Sequence, residues 1–204
     1  MEINKALDQI ETIHEHLARA EMCRDWRSGP VACGGALALA AAAAQARIIG
    51  EPAATRAFVY YWVGVAAVAM AVGGAGMLKS YLGQPSPLAR RRTRVLAGQF
   101  APSIAVGAIV TAALFGRDEL IPLLPGLWAL VFGLGTFAAR PYLPRIIGWV
   151  ALYYLIAGGI LLALAGKGLA LNPWAMGLAF GPGQLLSGLV LYWNLERNGG
   201  RVEP

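Results

Sequence analysis

Two histidines, two cysteines and a scatter of hydroxyls and amides are what this 204-residue chain offers for chemistry. His14, His16 and Cys23 have the types of a metal site. Histidines two apart on a helix, however, point about 200° from each other, so one ion cannot readily take both, and solvated helix histidines are the expectation. Both histidines precede the first long apolar run, at residue 28. Paired-histidine haem ligation inside the apolar part is therefore excluded, and Ser103 and Ser187 lack the base a serine nucleophile needs. The apolar runs hold no Asp, Glu, Lys, Arg or His in their interiors, so a relay for protons is missing and ion-driven pumping loses its usual hardware. The sequence thus predicts no enzyme, no metal and no cofactor. Cys23 and Cys33 make no disulfide framework and are expected as reduced thiols.

The groups left within the apolar runs are neutral: Cys33, Gln99, Ser103, Thr111, Thr136, Gln184 and Ser187, with Tyr153 and Tyr154. Interhelical hydrogen bonding is their first expectation. A sharper pattern compares the two halves of the chain. Phe100-Ala-Pro102 is matched by Phe180-Gly-Pro182, with Val110 and Val190 each eight residues after the proline. Gln99 and Gln184 lie close by, and Tyr60-Tyr61 is matched by Tyr153-Tyr154. Three spans per half would make this a 3+3 inverted repeat, a plan common among transporters, whose sites lie where corresponding helices are interrupted. On that reading Gln99, Pro102, Ser103, Pro182 and Gln184 would line a path for a small neutral solute between the third and sixth spans. A shared kink is the plainer alternative.

The elements that must position these groups follow from composition. With 57% of residues apolar or aromatic and 14% charged, at mean hydropathy +0.56, the chain cannot clothe a soluble core in polar side chains. The remaining solvent is the bilayer. Six runs reach the roughly 20 apolar residues a helix needs to cross hydrocarbon. They cover about 28–46, 58–78, 95–116, 120–139, 146–166 and 173–194. Barrel strands would alternate apolar and polar residues, and these runs are apolar all round. Of the 17 Lys and Arg, 13 fall on the side that includes both ends of the chain, and only Arg47, Arg56, Arg117 and Lys167 on the other. The excess of positive charge in inner loops then predicts both termini in the cytoplasm, in a cytoplasmic (inner) membrane. Most of the net charge of +6 is accounted for in this way, which leaves no case for nucleic acid.

Small residues recur every fourth position, at Gly34, Ala38, Ala42 and Ala46, at Ala69 and Gly73, and at Gly177 and Gly181. Such faces let helix backbones approach closely, within the chain by default and in a homo-oligomer as a further expectation. Outside the spans, residues 1–27 read as an amphipathic helix with Ile3, Leu7, Ile10, His14 and Leu17 along one face, and 195–204 as a short tail. Residues 1–25 contain six acids against three bases, so an anionic leaflet would repel them. They would dock instead on a protein or on the basic second loop, where Arg90, Arg91, Arg92 and Arg94 could also attract anionic lipid. The expected fold is an all-α bundle of six transmembrane helices behind that cytoplasmic helix. The expected function is a non-enzymatic membrane interaction or accessory protein presenting the acidic helix and basic loop to partners, with the solute facilitator as its rival.

Overall fold

A computed structural model describes residues 28–50, 54–83 and 87–197, so the amphipathic reading of residues 1–27, including Leu7, Ile10 and Leu17, lies outside the described residues. The described part is helical, with no strand among those residues. Six helices follow one another: α1 Ser28–Ile49, α2 Thr55–Gly83, α3 Pro87–Phe115, α4 Leu124–Ala138, α5 Ile147–Ala165 and α6 Pro173–Leu191. A 3₁₀ turn at Ile121–Leu123 leads into α4, and Tyr192–Arg197 continue α6 as a π-type turn. Six segments among them are long and apolar enough to cross a membrane.

The helix limits depart from the apolar limits most at the second connection. Lys79 lies in α2, and Arg90, Arg91, Arg92 and Arg94 lie in the first turns of α3. The expected 16-residue basic loop is therefore a helical hairpin with only 84–86 between its arms. Backbone hydrogen bonding does not stop where hydropathy falls, and Arg and Lys are good helix formers. Each arm has 29 residues, about 43 Å at 1.5 Å rise, against a hydrocarbon core of roughly 30 Å. Stops elsewhere have local causes. Gly50 closes α1 at φ 78°, a backbone conformation that suits a residue without Cβ. Asn172 caps α6, its side chain accepting from Trp174 N at 2.9 Å ahead of Pro173.

Consecutive helices pack antiparallel, and α6 returns to lie along α1, so the order of neighbours closes on itself. The two closest pairs are α1 with α6 and α4 with α5. Both rest on glycine. A Cβ on Gly35 would stand 2.8 Å from the Gly181 carbonyl oxygen, and one on Gly177 would stand 2.5 Å from Ala42 Cβ. Across the second pair the contact is reciprocal: a Cβ on Gly126 would meet the Gly158 carbonyl at 2.9 Å, and one on Gly158 would meet the Gly126 carbonyl at 2.9 Å. The four-residue spacing of small residues in the first and sixth spans thus describes one interface seen from its two sides.

The rest of the ring is looser. Phe58, Val59 and Trp62 at the start of α2 are buried with Ala41, Ala42, Ile121, Leu124 and Met176 in two adjoining clusters. Beyond Trp62 no described residue of α2 is buried, and in α3 only Leu96 is. Ala69 and Gly73, expected to pack, are half-buried on a face that continues to Gly76, where a Cβ would stand 2.7 Å from Pro30 of α1, whereas a Cβ on Gly64, Gly73, Gly74, Gly98 or Gly107 would meet nothing within 4 Å. The outer surface carries Val68, Ile109, Trp149, Ile156 and Leu178, each more than half exposed, a covering that hydrocarbon suits.

The two classes of glycine should respond oppositely to substitution. Gly126→Val and Gly158→Val drive a branched side chain into backbone that cannot yield, so each should cost about 1 to 3 kcal/mol, read as earlier thermal loss of monodispersity in detergent. Gly64→Ala and Gly107→Ala should leave that transition unchanged or raise it slightly.

Candidate functional site

The polar groups within the bundle fall into two sets, one at each end. At the end bearing Arg47, Arg56 and Asp118, every inward polar group has a partner. Gln45 is 1% exposed, its amide donates to the Leu171 carbonyl at 3.2 Å, and its oxygen accepts from Trp62 Nε1 at 2.7 Å. One side chain therefore ties α1, α2 and the turn before α6 together. Tyr61 donates its hydroxyl to the Ala41 carbonyl at 2.7 Å, and Trp128 Nε1 donates to Thr111 Oγ1 at 2.9 Å, which joins α4 to α3. Thr111 in turn donates to the Gly107 carbonyl at 2.7 Å. Outside this set, Arg56 Nε and Asp118 pair at 3.0 Å with both side chains more than half exposed, so the pair adds little. This end is sealed.

The second set surrounds the proline of α6. Pro182 has no N–H to give the carbonyl four residues back, that of Leu178, and the hydroxyl of Tyr153 on α5 donates to that carbonyl instead. A neighbouring helix thereby meets the demand that proline creates, and α6 runs through Pro182 without a break. Tyr154, fully buried, turns its ring against Gly183, where a Cβ would stand 2.6 Å from its hydroxyl oxygen. That hydroxyl has no hydrogen-bond partner among the described residues. Around it lie Phe132 at 4.8 Å and Phe180 at 5.7 Å between ring centroids, both in edge or tilted contact. Ser187 donates to the Gly183 carbonyl at 2.9 Å, and Thr136 donates to the Phe132 carbonyl at 2.9 Å.

The residues expected to line a path between the third and sixth spans are not gathered into one cavity. Gln184 lies over Gly34 of α1, where a Cβ would overlap its Oε1, and Ser103 lies against Gly135 of α4 at 2.6 Å from the corresponding position. Gln99 is half-buried, Pro182 likewise, and Pro102 is exposed. Phe132 stands between α3 and α6, its ring 6.2 Å from Phe100 and 5.7 Å from Phe180. The matched residues of the two halves also do different work. Tyr153 and Tyr154 serve the Pro182 region, whereas Tyr60 is exposed against Phe115 and Tyr61 reaches α1. Two depressions lie elsewhere. One of about 460 Å³ runs between α2 and α3 at Val63, Thr111 and Phe115, and one of about 410 Å³ sits at the α4–α5 turn. No group of three or more His, Cys, Asp or Glu able to hold a metal occurs among the described residues.

The basic cluster is drawn to the end of α2. Arg94 Nη2 donates to the Tyr81 hydroxyl at 3.0 Å, and the Arg90 guanidinium lies over the Tyr81 ring at 5.8 Å, while Arg91 is exposed. Gln45 is the residue that sequence reasoning passes over. It sits in the last turns of an alanine run and looks like a span end, and the signal that would find it is an amide one helix away from a tryptophan that needs an acceptor. Compared with family models, with curated proteins and with solved structures, the chain matches none of them.

The two sets of polar groups predict different costs. Gln45→Leu strands both the Trp62 N–H and the Leu171 carbonyl, so it should lower stability by about 1 to 3 kcal/mol in a detergent unfolding assay. Gln99→Leu, at a half-buried amide that ties no helices together, should leave it unchanged.

Proposed function

We propose that the protein is a non-enzymatic interaction or accessory component of the cytoplasmic (inner) membrane, with both termini in the cytoplasm. It presents its acidic N-terminal helix and the basic tip of the α2–α3 hairpin to a cytoplasmic protein or to anionic lipid. Within the bilayer it assembles through the faces of α2 and α3. The observation that carries this reading is a contrast in packing. Beside Pro182 the interior is filled, with Tyr154 against Gly183, Leu39 against Gly181 and Phe132 between α3 and α6. Along α2 and α3 a Cβ on Gly64, Gly73, Gly74, Gly98 or Gly107 would meet nothing within 4 Å, while Gly76 stands against Pro30 of α1. Small-residue faces are what helices use to associate in lipid, where the hydrophobic effect no longer favours contact between them. The length of the hairpin arms supports the other half of the reading, since it carries Arg90, Arg91 and Arg94 past the hydrocarbon to where a soluble partner meets them.

A photoreactive residue placed at Gly73 and at Gly107 of the full chain in native membranes should yield a protein adduct of fixed mass. The same probe at Ile160, exposed on α5, should yield none. Adducts to lipid alone at all three positions would end the assembly reading.

A second reading, a facilitator for a small neutral solute, is favoured by the amides of Gln99 and Gln184 and the hydroxyl of Ser103, for which no hydrogen bond is found among the described residues. Polar groups left without partners in an apolar setting are costly, and a passing solute would repay them in turn. Proteoliposome swelling with a panel of neutral solutes checks it: permeation that Gln184→Leu abolishes would establish the facilitator, and swelling equal to that of empty vesicles would discard it.

A further inference from the structure

The turn between α4 and α5 gathers positive charge in a way the sealed end does not. Arg140 and Arg145 flank a depression of about 410 Å³ that Phe137 and Tyr142 also line. Arg56 at the opposite end has Asp118 at 3.0 Å, but no carboxylate lies within ion-pairing distance of Arg140 or Arg145 among the described residues. The Arg140 guanidinium is held in place by packing. It lies 5.7 Å over the Phe137 ring and passes the first turn of α5, where a Cβ on Gly148 would stand 3.3 Å from Arg140 Nε. That position brings a cation to the positive end of a 19-residue helix whose first turn contains no acid. Like signs are thus brought together around a cavity, an arrangement that an anion stabilises.

The surroundings specify what carries the anion. Phe137, Ile146 and Trp149 are 50%, 49% and 71% exposed on the flanks of this turn, and Leu134, one turn below Phe137, is 58% exposed. A ligand that meets guanidinium groups at its head and these side chains along its length is an amphiphile. We propose that the depression between Arg140 and Arg145 binds the phosphate of an anionic phospholipid, with the acyl chains descending along Leu134 and Phe137. This rests on the membrane reading of the six helices and is independent of the assembly reading for α2 and α3. Planar guanidinium groups suit a phosphodiester, and a head group lacking an ammonium leaves their charge unopposed.

Native mass spectrometry of the full chain, released from vesicles of phosphatidylglycerol and phosphatidylcholine, reads the preference directly. The wild-type protein should retain phosphatidylglycerol in excess. Arg145→Gln, at an exposed side chain, should reduce that excess about fivefold, and Arg140→Gln with Arg145→Gln about 20-fold. The triple variant Arg90→Gln, Arg91→Gln, Arg94→Gln should leave the tightly retained lipid in place. Equal retention of the two lipids by the wild-type chain, or an unchanged ratio in Arg145→Gln and the double variant, would overturn the proposal. Displacement of the lipid by millimolar inorganic phosphate would also overturn it, by assigning the site to a soluble anion. A failure of the Gly73 and Gly107 probes, by contrast, would leave these ratios untouched.

Discussion

The contact between the first and last helices is the one on which the architecture turns. Lipid tails are as apolar as leucine, so two helices in a bilayer gain little by hiding side chains from solvent, and they hold together by close dispersion contact and by polar groups shared between them. Gly35 and Gly181, with Gly177 against Ala42 and Gly188 against Ala32, let α1 and α6 touch at the level of their backbones. With the two ends of the helical region joined, the intervening helices are obliged to arrange themselves between them. Gly126 and Gly158 repeat the device within the α4–α5 hairpin.

The glycines do not fix how helices are rotated or how high they stand, and polar groups supply that. Gln45 does so at one end, with Trp62 and Leu171 as its partners. At the other end, Tyr153 meets the carbonyl that Pro182 leaves bare. Between these anchors α2 is held near Phe58 and Trp62 and again where Gly76 meets Pro30, and α3 is held by Trp128 through Thr111, by Ser103 against Gly135 and by the buried Leu96.

Much of this was legible in the residues. Runs without charge gave six helices long and apolar enough to cross a membrane, because burying a charge in hydrocarbon costs more than a fold can spare, and the four-residue spacing of Gly and Ala marked faces fit for close approach without saying that the first and sixth would meet. The same spacing at Ala69 and Gly73 marks a half-buried face with space left beside Gly73, since periodicity reveals a surface fit for close approach without saying what approaches it. The Phe-x-Pro match between the third and sixth spans also read identically in both halves. It led to different surroundings, with Pro102 exposed and Pro182 half-buried on a helix braced by Tyr153. A proline's environment is set by the helix that happens to lie beside it, and one-dimensional spacing does not carry that. Gln45 went unseen for the same reason, its role being defined by Trp62, 17 positions away.

The hydroxyl that Tyr153 lends to Leu178 makes the last helix depend on the one before it. Without α5 beside it, α6 would expose an unsatisfied carbonyl at Leu178, a cost of several kcal/mol per group in an apolar setting. Once α5 lies alongside, its Tyr153 hydroxyl removes that cost. The last two helices are therefore suited to form as a pair, the fifth acting as an intramolecular escort that meets the carbonyl the sixth leaves bare.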